Sequence, residues 1–136
     1  MSDFDHSMRK ILVVEDEPDY SALLAGVLRS EGYDVSAAQN GEEALGSVKE
    51  QRPDLITLDI QMPRKTGIMF FRELKSHEQY NNIPIVVVTG LTVDDPDMET
   101  FIHTFLDVEH LPTPDAYLEK PVEKRELLRV VGDALR

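Results

Sequence analysis

Residues 55–67 read LITLDIQMPRKTG, and this stretch decides the fold. Its first four residues are apolar apart from Thr57, which is typical of a strand buried on both faces inside a parallel sheet. Asp59 follows directly, and turn-forming sequence begins at Pro63. Desolvating a carboxylate costs free energy, and the end of such a strand faces the crevice where open α/β sheets bind ligands. We therefore predict that Asp59 is a nucleophile for a phosphoryl group.

Strand and helix signals alternate along the rest of the chain. Strand-like apolar runs occupy residues 10–14, 33–38, 55–58, 83–88 and 117–118. Apolar residues at helical spacing follow each run, along residues 20–28, 44–48, 70–74, 98–105 and 127–135. This alternation predicts a parallel sheet with helices on both faces. We find no repeat or linker, so we expect one domain over residues 9–136 after a polar tail of residues 1–8.

Several residues mark where the predicted helices begin and end. Pro18 fits a first helical turn, and Gly32 is placed to end that helix in a left-handed cap. Asn40 with Glu43 three residues later predicts a capped helix start. Two prolines within residues 107–114 exclude a regular element there.

The composition narrows the functional classes. The 136 residues include no cysteine, which excludes disulfides, thiolate metal sites and a cysteine nucleophile. The net charge of −12 opposes binding to a phosphate backbone, so we expect no contact with nucleic acid. The N-terminus does not resemble a signal peptide, and the apolar run at residues 85–88 is too short to cross a bilayer. We expect a soluble cytoplasmic protein that does not enter a membrane.

Polar side chains follow four of the predicted strands. Glu15 and Asp16 follow the first strand, Asp59 the third, Thr89 ends the fourth, and Lys120 follows the fifth. The ends of parallel strands share one edge of the sheet, so these groups should meet in one crevice. Three carboxylates this close repel one another unless a cation lies among them. Ligands that are all oxygens favour a hard cation, and we predict Mg²⁺.

The same inventory suits phosphoryl transfer, in which a protein mainly positions groups and stabilises charge. A cation and the Lys120 ammonium would offset the repulsion between Asp59 and an arriving phosphoryl group. Thr89 would donate a hydrogen bond to the transferred oxygens.

Taken together, the motifs of the chain resemble the receiver domain of two-component response regulators. The matching motifs are Glu15-Asp16, Asp59 with Met62-Pro63 and Gly67, VVVTG ending at Gly90, and YLEKP ending at Pro121. The resemblance covers the chain from Lys10 to its end. It implies an α/β, flavodoxin-like doubly wound sandwich with five helices and a five-stranded parallel sheet in the order 2-1-3-4-5.

The resemblance also implies roles for the site residues. It implies that a histidine kinase or a histidine phosphotransfer protein phosphorylates Asp59. It implies that Asp16, Asp59 and the backbone carbonyl of Gln61 hold Mg²⁺, with Glu15 acting largely through water. Lys120 would contact the phosphoryl group.

The expected output is a switch at a protein-binding surface. Thr89 would move toward the phosphoryl group, and the Tyr117 ring would turn into the vacated space. In the family this reshapes the face formed by the fourth helix, the fifth strand and the fifth helix, which binds a downstream protein. The peptide bond before Pro121 is expected to be cis. Leu91 cannot orient a water molecule by hydrogen bonding, so we expect slow self-dephosphorylation.

Three other functions compete with this interpretation. A magnesium-dependent hydrolase with an aspartyl-phosphate intermediate commonly has a second acid where this chain has Gln61, which cannot serve as the general acid. An interaction module that is never phosphorylated would not need the acids, Thr89 and Lys120 together. A DNA-binding regulator would need an output domain, and only sixteen residues follow Lys120. We therefore expect a stand-alone signalling receiver rather than an enzyme with a separate substrate.

Overall fold

The computed structural model of the chain describes residues 9–60, 67–90 and 114–136. The strands within these residues are β1 (Lys10–Val14), β2 (Asp34–Ala38), β3 (Leu55–Leu58), β4 (Ile85–Thr89) and β5 (Ala116–Glu119). The helices are α1 (Pro18–Ser30), α2 (Gly41–Glu50), α3 (Gly67–Lys75) and α4 (Lys124–Ala134), and α4 corresponds to the fifth helix of the prediction. The predicted tail, the predicted helix near residues 98–105 and most of residues 107–114 lie outside the described residues, as do Gln61 and Leu91.

The five strands form one parallel sheet in the order β2-β1-β3-β4-β5, which confirms the predicted topology. β1 lies between two neighbours, and Val14 pairs with Ala38 of β2 on one side and with Leu58 of β3 on the other. On the far side, Leu58 pairs with Val87, and Thr89 of β4 pairs with Glu119 of β5. These pairings place the carboxyl ends of all five strands at one edge.

Two apolar cores cover the two faces of the sheet. Alternate residues of β1 divide between them: Leu12 and Val14 face the core under α2 and α3, and Ile11 and Val13 face the core under α1 and α4. Phe70, Phe71 and Leu74 of α3 are fully buried in the first core, as their spacing predicts. Strands covered on both faces explain the continuous apolar runs in the sequence.

The predicted helix signals largely correspond to the observed ends. Gly32 adopts the left-handed conformation, with φ of 96°, just after α1. The Asn40 side chain accepts a hydrogen bond of 2.8 Å from the Glu43 N–H and so caps α2. The Glu43 carboxylate accepts from the Gln39 N–H at 3.0 Å, one residue before the donor expected in a capping box.

Two strands are shorter than predicted, because helix-end and turn hydrogen bonds occupy their first residues. Tyr33 donates its N–H to the Leu28 carbonyl at 3.3 Å, so it belongs to the end of α1 and β2 begins at Asp34. Ile83 donates to the Tyr80 carbonyl at 3.1 Å, and Pro84 has no N–H, so β4 begins at Ile85. Within the described residues, none of the helices combines the length and the apolar character needed to span a membrane.

Candidate functional site

The sheet places two acidic residues side by side. Asp59 donates its N–H to the Val14 carbonyl at 3.0 Å, so the pairing of β1 and β3 continues one residue beyond β3. Glu15 donates its N–H to the Ala38 carbonyl at 3.0 Å, which continues the pairing of β1 and β2 in the same way. Both carboxylates therefore start from fixed backbone positions at the carboxyl edge of the sheet.

Gly67 lets α3 begin directly against the backbone that follows β3. A Cβ atom at this position would overlap the Asp59 carbonyl oxygen and lie 2.5 Å from the Ile60 Cα. Neither contact can be relieved by rotating a side chain, because both involve backbone atoms. The glycine in the motif is therefore needed for the close approach of α3 to the acidic residue.

Three carboxylates meet in the crevice, as the sequence predicts. Glu15, Asp16 and Asp59 each present an oxygen within 4.8 Å of the other two. Glu15 is 1% exposed and Asp59 is 4% exposed, so most of their hydration has been lost. Like charges this close in a partly desolvated site are unfavourable without cations.

Lys120 brings one positive charge to this cluster. Its Nζ lies 2.8 Å from Glu15 Oε1 and donates a hydrogen bond of 3.2 Å to Asp59 Oδ2. A third carboxylate, that of the exposed Glu17, lies 3.6 Å away. The backbone N–H of Lys120 donates to the Thr89 carbonyl at 2.8 Å, so the ends of β4 and β5 fix the base of this side chain.

Burial and charge shift the pKa values of two groups in the crevice. Burial raises the pKa of the Glu15 carboxyl to about 7, and the contact with the Lys120 ammonium offsets only part of this effect. The nearby Asp59 charge raises the Glu15 pKa further. Burial lowers the pKa of Lys120, but the close Glu15 and Asp59 carboxylates outweigh it, and the net shift is upward. The ammonium is therefore held in its charged form.

Tyr20 also contacts Lys120, which the sequence did not indicate. The Lys120 Nζ lies 4.5 Å from the centroid of the Tyr20 ring, and the Tyr20 hydroxyl accepts a hydrogen bond of 3.0 Å from the Val122 N–H. The sequence places Tyr20 on the apolar face of α1, where it indeed packs against the core beneath that helix. The hydroxyl of Tyr20 could have pointed to a polar contact, because it stands out on a face whose later residues, from Leu23 and Leu24 onward, are aliphatic.

The remaining predicted site residues lie as follows. Thr89 is buried at the end of β4. Tyr117 is 49% exposed on β5. The bond between Lys120 and Pro121 is cis, the geometry that the resemblance implies. α4 begins at Lys124 and not at Pro121. Gln61 lies outside the described residues.

The donors in the crevice fit a hard cation. Carboxylate oxygens are the ligands that Mg²⁺ prefers, and Mg²⁺ usually binds through one or two carboxylates while keeping several waters. Glu15, Asp16 and Asp59 converge closely enough to share one ion. The two nearly buried acids would gain the most from its charge.

Comparisons with known proteins identify the family. The model of the family described as "Response regulator receiver domain" matches residues 11–132. The DNA-binding response regulator MtrA of Mycolicibacterium smegmatis is 35% identical over 132 residues, which are 97% of this chain and 53% of that protein. MtrA of Mycobacterium tuberculosis is 34% identical with the same coverage. The chain thus spans about half the length of these curated relatives.

Two solved structures share the fold. The receiver domain of a signal transduction histidine kinase from Syntrophus aciditrophicus superposes with a TM-score of 0.80 at 31% identity, covering 93% of this chain and 89% of that one. The receiver domain of sensor histidine kinase PA1611 from Pseudomonas aeruginosa gives a TM-score of 0.81 at 29% identity, with coverage of 93% and 97%. That structure has a magnesium ion coordinated in its active site cleft. The chain belongs to the response regulator receiver domain family of two-component signalling.

Proposed function

We propose that Asp59 is the phosphoacceptor of this receiver and that the reaction depends on Mg²⁺. In this step one carboxylate oxygen of Asp59 forms a bond to phosphorus, and the bond between phosphorus and the donor breaks. With a phosphohistidine donor, the imidazole nitrogen keeps the electron pair of the broken bond. The donor is a histidine kinase or a histidine phosphotransfer protein.

The observation that carries this proposal is the shared position of Asp59, Glu15, Asp16 and Lys120. Asp59 is nearly buried at the end of β3, 3.2 Å from the Lys120 ammonium and within 4.8 Å of the other two acids. A capping or turn aspartate would need neither the ammonium nor the additional carboxylates.

Glu15, Asp16 and Asp59, with the backbone carbonyl of Gln61, would hold the cation in this proposal. When bound, Mg²⁺ supplies positive charge that offsets the repulsion between the carboxylates and phosphoryl oxygens. The ligand set beyond the three described carboxylates rests on the resemblance.

Lys120 supplies a fixed positive charge beside Asp59. Its ammonium already lies beside Asp59 Oδ2, so little rearrangement is needed to reach an oxygen of a group attached to Asp59. Thr89 lies at the end of the neighbouring strand, and its hydroxyl donates a hydrogen bond to another such oxygen. Positioned donors of this kind are the usual protein contribution to phosphoryl transfer.

The proposed output is an altered protein-binding surface around β5. Phosphorylation adds roughly −1.5 to −2 of charge. Lys120 follows β5 directly and Thr89 pairs with Glu119 of that strand, so both contacts to the phosphoryl group act on β5. Tyr117 is half-exposed on the same strand and would report the change to a downstream protein.

A protein target without nucleic-acid contact stays a prediction, and it rests on the net charge of −12. The curated relatives are DNA-binding regulators, and the chain covers 53% of the length of such a protein. The proposal therefore concerns the receiver alone.

The test is incubation with acetyl phosphate and MgCl₂, followed by intact mass measurement and peptide mapping. The wild type should gain one phosphoryl group on Asp59, and the gain should disappear with EDTA. Asp59→Asn should remain unmodified. Asp54→Asn is a matched control, because Asp54 lies at the opposite edge of the sheet and accepts a hydrogen bond from the Lys10 N–H. An unmodified wild type, or modification of another residue, would refute the proposal.

A further inference from the structure

We infer that Tyr20 is a positioning residue for Lys120, and that it holds the ammonium where the Asp59 reaction needs it. This inference rests on the proposed function. Tyr20 acts on the Asp59 reaction through its contact with Lys120.

Tyr20 fixes Lys120 at two points. The face of its ring lies beneath the ammonium, with 4.5 Å between Nζ and the ring centroid. Its hydroxyl accepts the 3.0 Å hydrogen bond from the Val122 N–H, two residues beyond Lys120 in the chain. One side chain of α1 therefore restrains both the tip of Lys120 and the backbone segment that carries it.

The ammonium needs such a restraint because several acids compete for it. Glu15 Oε1 is nearer to Nζ than Asp59 Oδ2 is, at 2.8 Å against 3.2 Å, and Glu17 lies at 3.6 Å. Without the ring, water would reach the ammonium more easily, and Lys120 would exchange among the three carboxylates. With the ring in place, the Lys120 side chain is only 14% exposed. A contact of this type changes an equilibrium by about two- to thirty-fold, depending on how well it is desolvated.

A purely structural role for Tyr20 predicts a different outcome. Tyr20 packs against the core that contains Leu24 and Leu28, so shortening it will lower stability in any case. A positioning role adds opposite changes in two properties of the folded protein. Loss of a restrained ammonium should slow phosphorylation, and it should strengthen Mg²⁺ binding because the ammonium would spend less time against Glu15 and Asp59. Partial unfolding would weaken both.

The experiment compares wild type, Tyr20→Phe, Tyr20→Leu and Val27→Ala. Val27 is a half-buried residue of α1 that packs on the same core, so Val27→Ala reproduces a loss of packing. The phosphorylation rate is measured with acetyl phosphate at saturating MgCl₂. Mg²⁺ affinity is measured by calorimetry, and the folded fraction by circular dichroism.

Tyr20→Leu should react about five-fold more slowly and bind Mg²⁺ about two- to five-fold more tightly. Tyr20→Phe keeps the ring and loses only the hydroxyl that accepts from the Val122 N–H. It should therefore retain most of the wild-type phosphorylation rate and Mg²⁺ affinity. Val27→Ala should match the wild type per folded molecule.

The outcomes separate the inference from the proposed function. If the wild type gains no phosphoryl group at Asp59, the proposed function fails and the inference fails with it. If the wild type reacts at Asp59 while Tyr20→Leu keeps wild-type rate and Mg²⁺ affinity, the inference alone is overturned. The inference is also overturned if rate and affinity fall together in Tyr20→Leu.

Discussion

Replacing Gly67 with alanine tests whether the start of α3 is packed against the phosphoacceptor backbone. The added Cβ would overlap the Asp59 carbonyl oxygen and lie 2.5 Å from the Ile60 Cα. Overpacking of this kind costs about 1–3 kcal/mol. Alanine recovers at most about 1 kcal/mol through its better helix propensity. Because both contacts involve backbone atoms, the cost should lie near the upper part of that range, about 2–3 kcal/mol, and we expect the free energy of unfolding to fall by about 1–2 kcal/mol after the helix-propensity gain.

Two other glycines provide matched controls. Gly46 in α2 and Gly132 in α4 have no heavy atom within 4 Å of an added Cβ. Gly46→Ala and Gly132→Ala should therefore raise the free energy of unfolding by about 0.5–1 kcal/mol through helix propensity alone. The same substitution of glycine by alanine should thus lower the free energy of unfolding at Gly67 and raise it at Gly46 and Gly132.

Urea unfolding followed by circular dichroism measures the difference through the midpoint at constant slope. The atom that must move in Gly67→Ala belongs to Asp59, so phosphorylation of the folded variant by acetyl phosphate should also slow. Gly46→Ala should react at the wild-type rate. A Gly67→Ala variant as stable as Gly46→Ala would show that the start of α3 is not in close contact with the Asp59 backbone.

Further predictions concern stability. Lys75 is buried at the end of α3, where Nζ donates hydrogen bonds to the Asn81 and Ile83 carbonyls at 3.0 and 2.7 Å. Lys75→Met should therefore lower the free energy of unfolding, measured with urea, by about 2–3 kcal/mol. Burial lowers the pKa of Lys75 below its usual value of 10.5, so between the folded and unfolded pKa values the unfolded state holds the proton and the folded state does not. In that pH range the free energy of unfolding of the wild type should rise with pH, and its difference from that of Lys75→Met should widen. A narrowing difference would contradict the assignment. Asn40→Ala removes the cap of α2 and should lower the free energy of unfolding by about 1 kcal/mol. Asn82→Ala removes an exposed hydrogen bond to Arg52 and should change that free energy by less than about 0.5 kcal/mol. Equal losses in the two variants would argue against the cap.

The sequence predicted the sheet because its strands are covered on both faces. β1 and β3 have the predicted ends, since a continuous apolar run changes abruptly to charged or turn-forming residues at each end. The meeting of Glu15, Asp16, Asp59 and Lys120 could also be predicted, because parallel strands bring their carboxyl ends to one edge. This part of the site depends on topology and not on the detail of packing.

Contacts that depend on how helices sit on the sheet could not be predicted. The bond between Tyr20 and Val122 joins residues 102 positions apart, and it requires α1 and the segment after β5 to converge. Lys75 follows the buried face formed by Phe70, Phe71 and Leu74, and a lysine at the end of a helix usually keeps its ammonium in water. It is buried because the carbonyls of the following turn converge on its ammonium. No local pattern encodes either arrangement.

The charge balance of the crevice combines both kinds of information. Within the described part of the chain, Glu15, Asp16, Glu17 and Asp59 lie near the one ammonium of Lys120, and the fold brings all of them to one edge of the sheet. Burial then raises the pKa of Glu15 to about 7, so near neutral pH this acid binds a proton for part of the time. Even then acidic charge exceeds basic charge, and a phosphoryl group adds roughly −1.5 to −2 more. Lys120 alone cannot balance that sum, which is why the proposed reaction needs a divalent cation as well as the lysine.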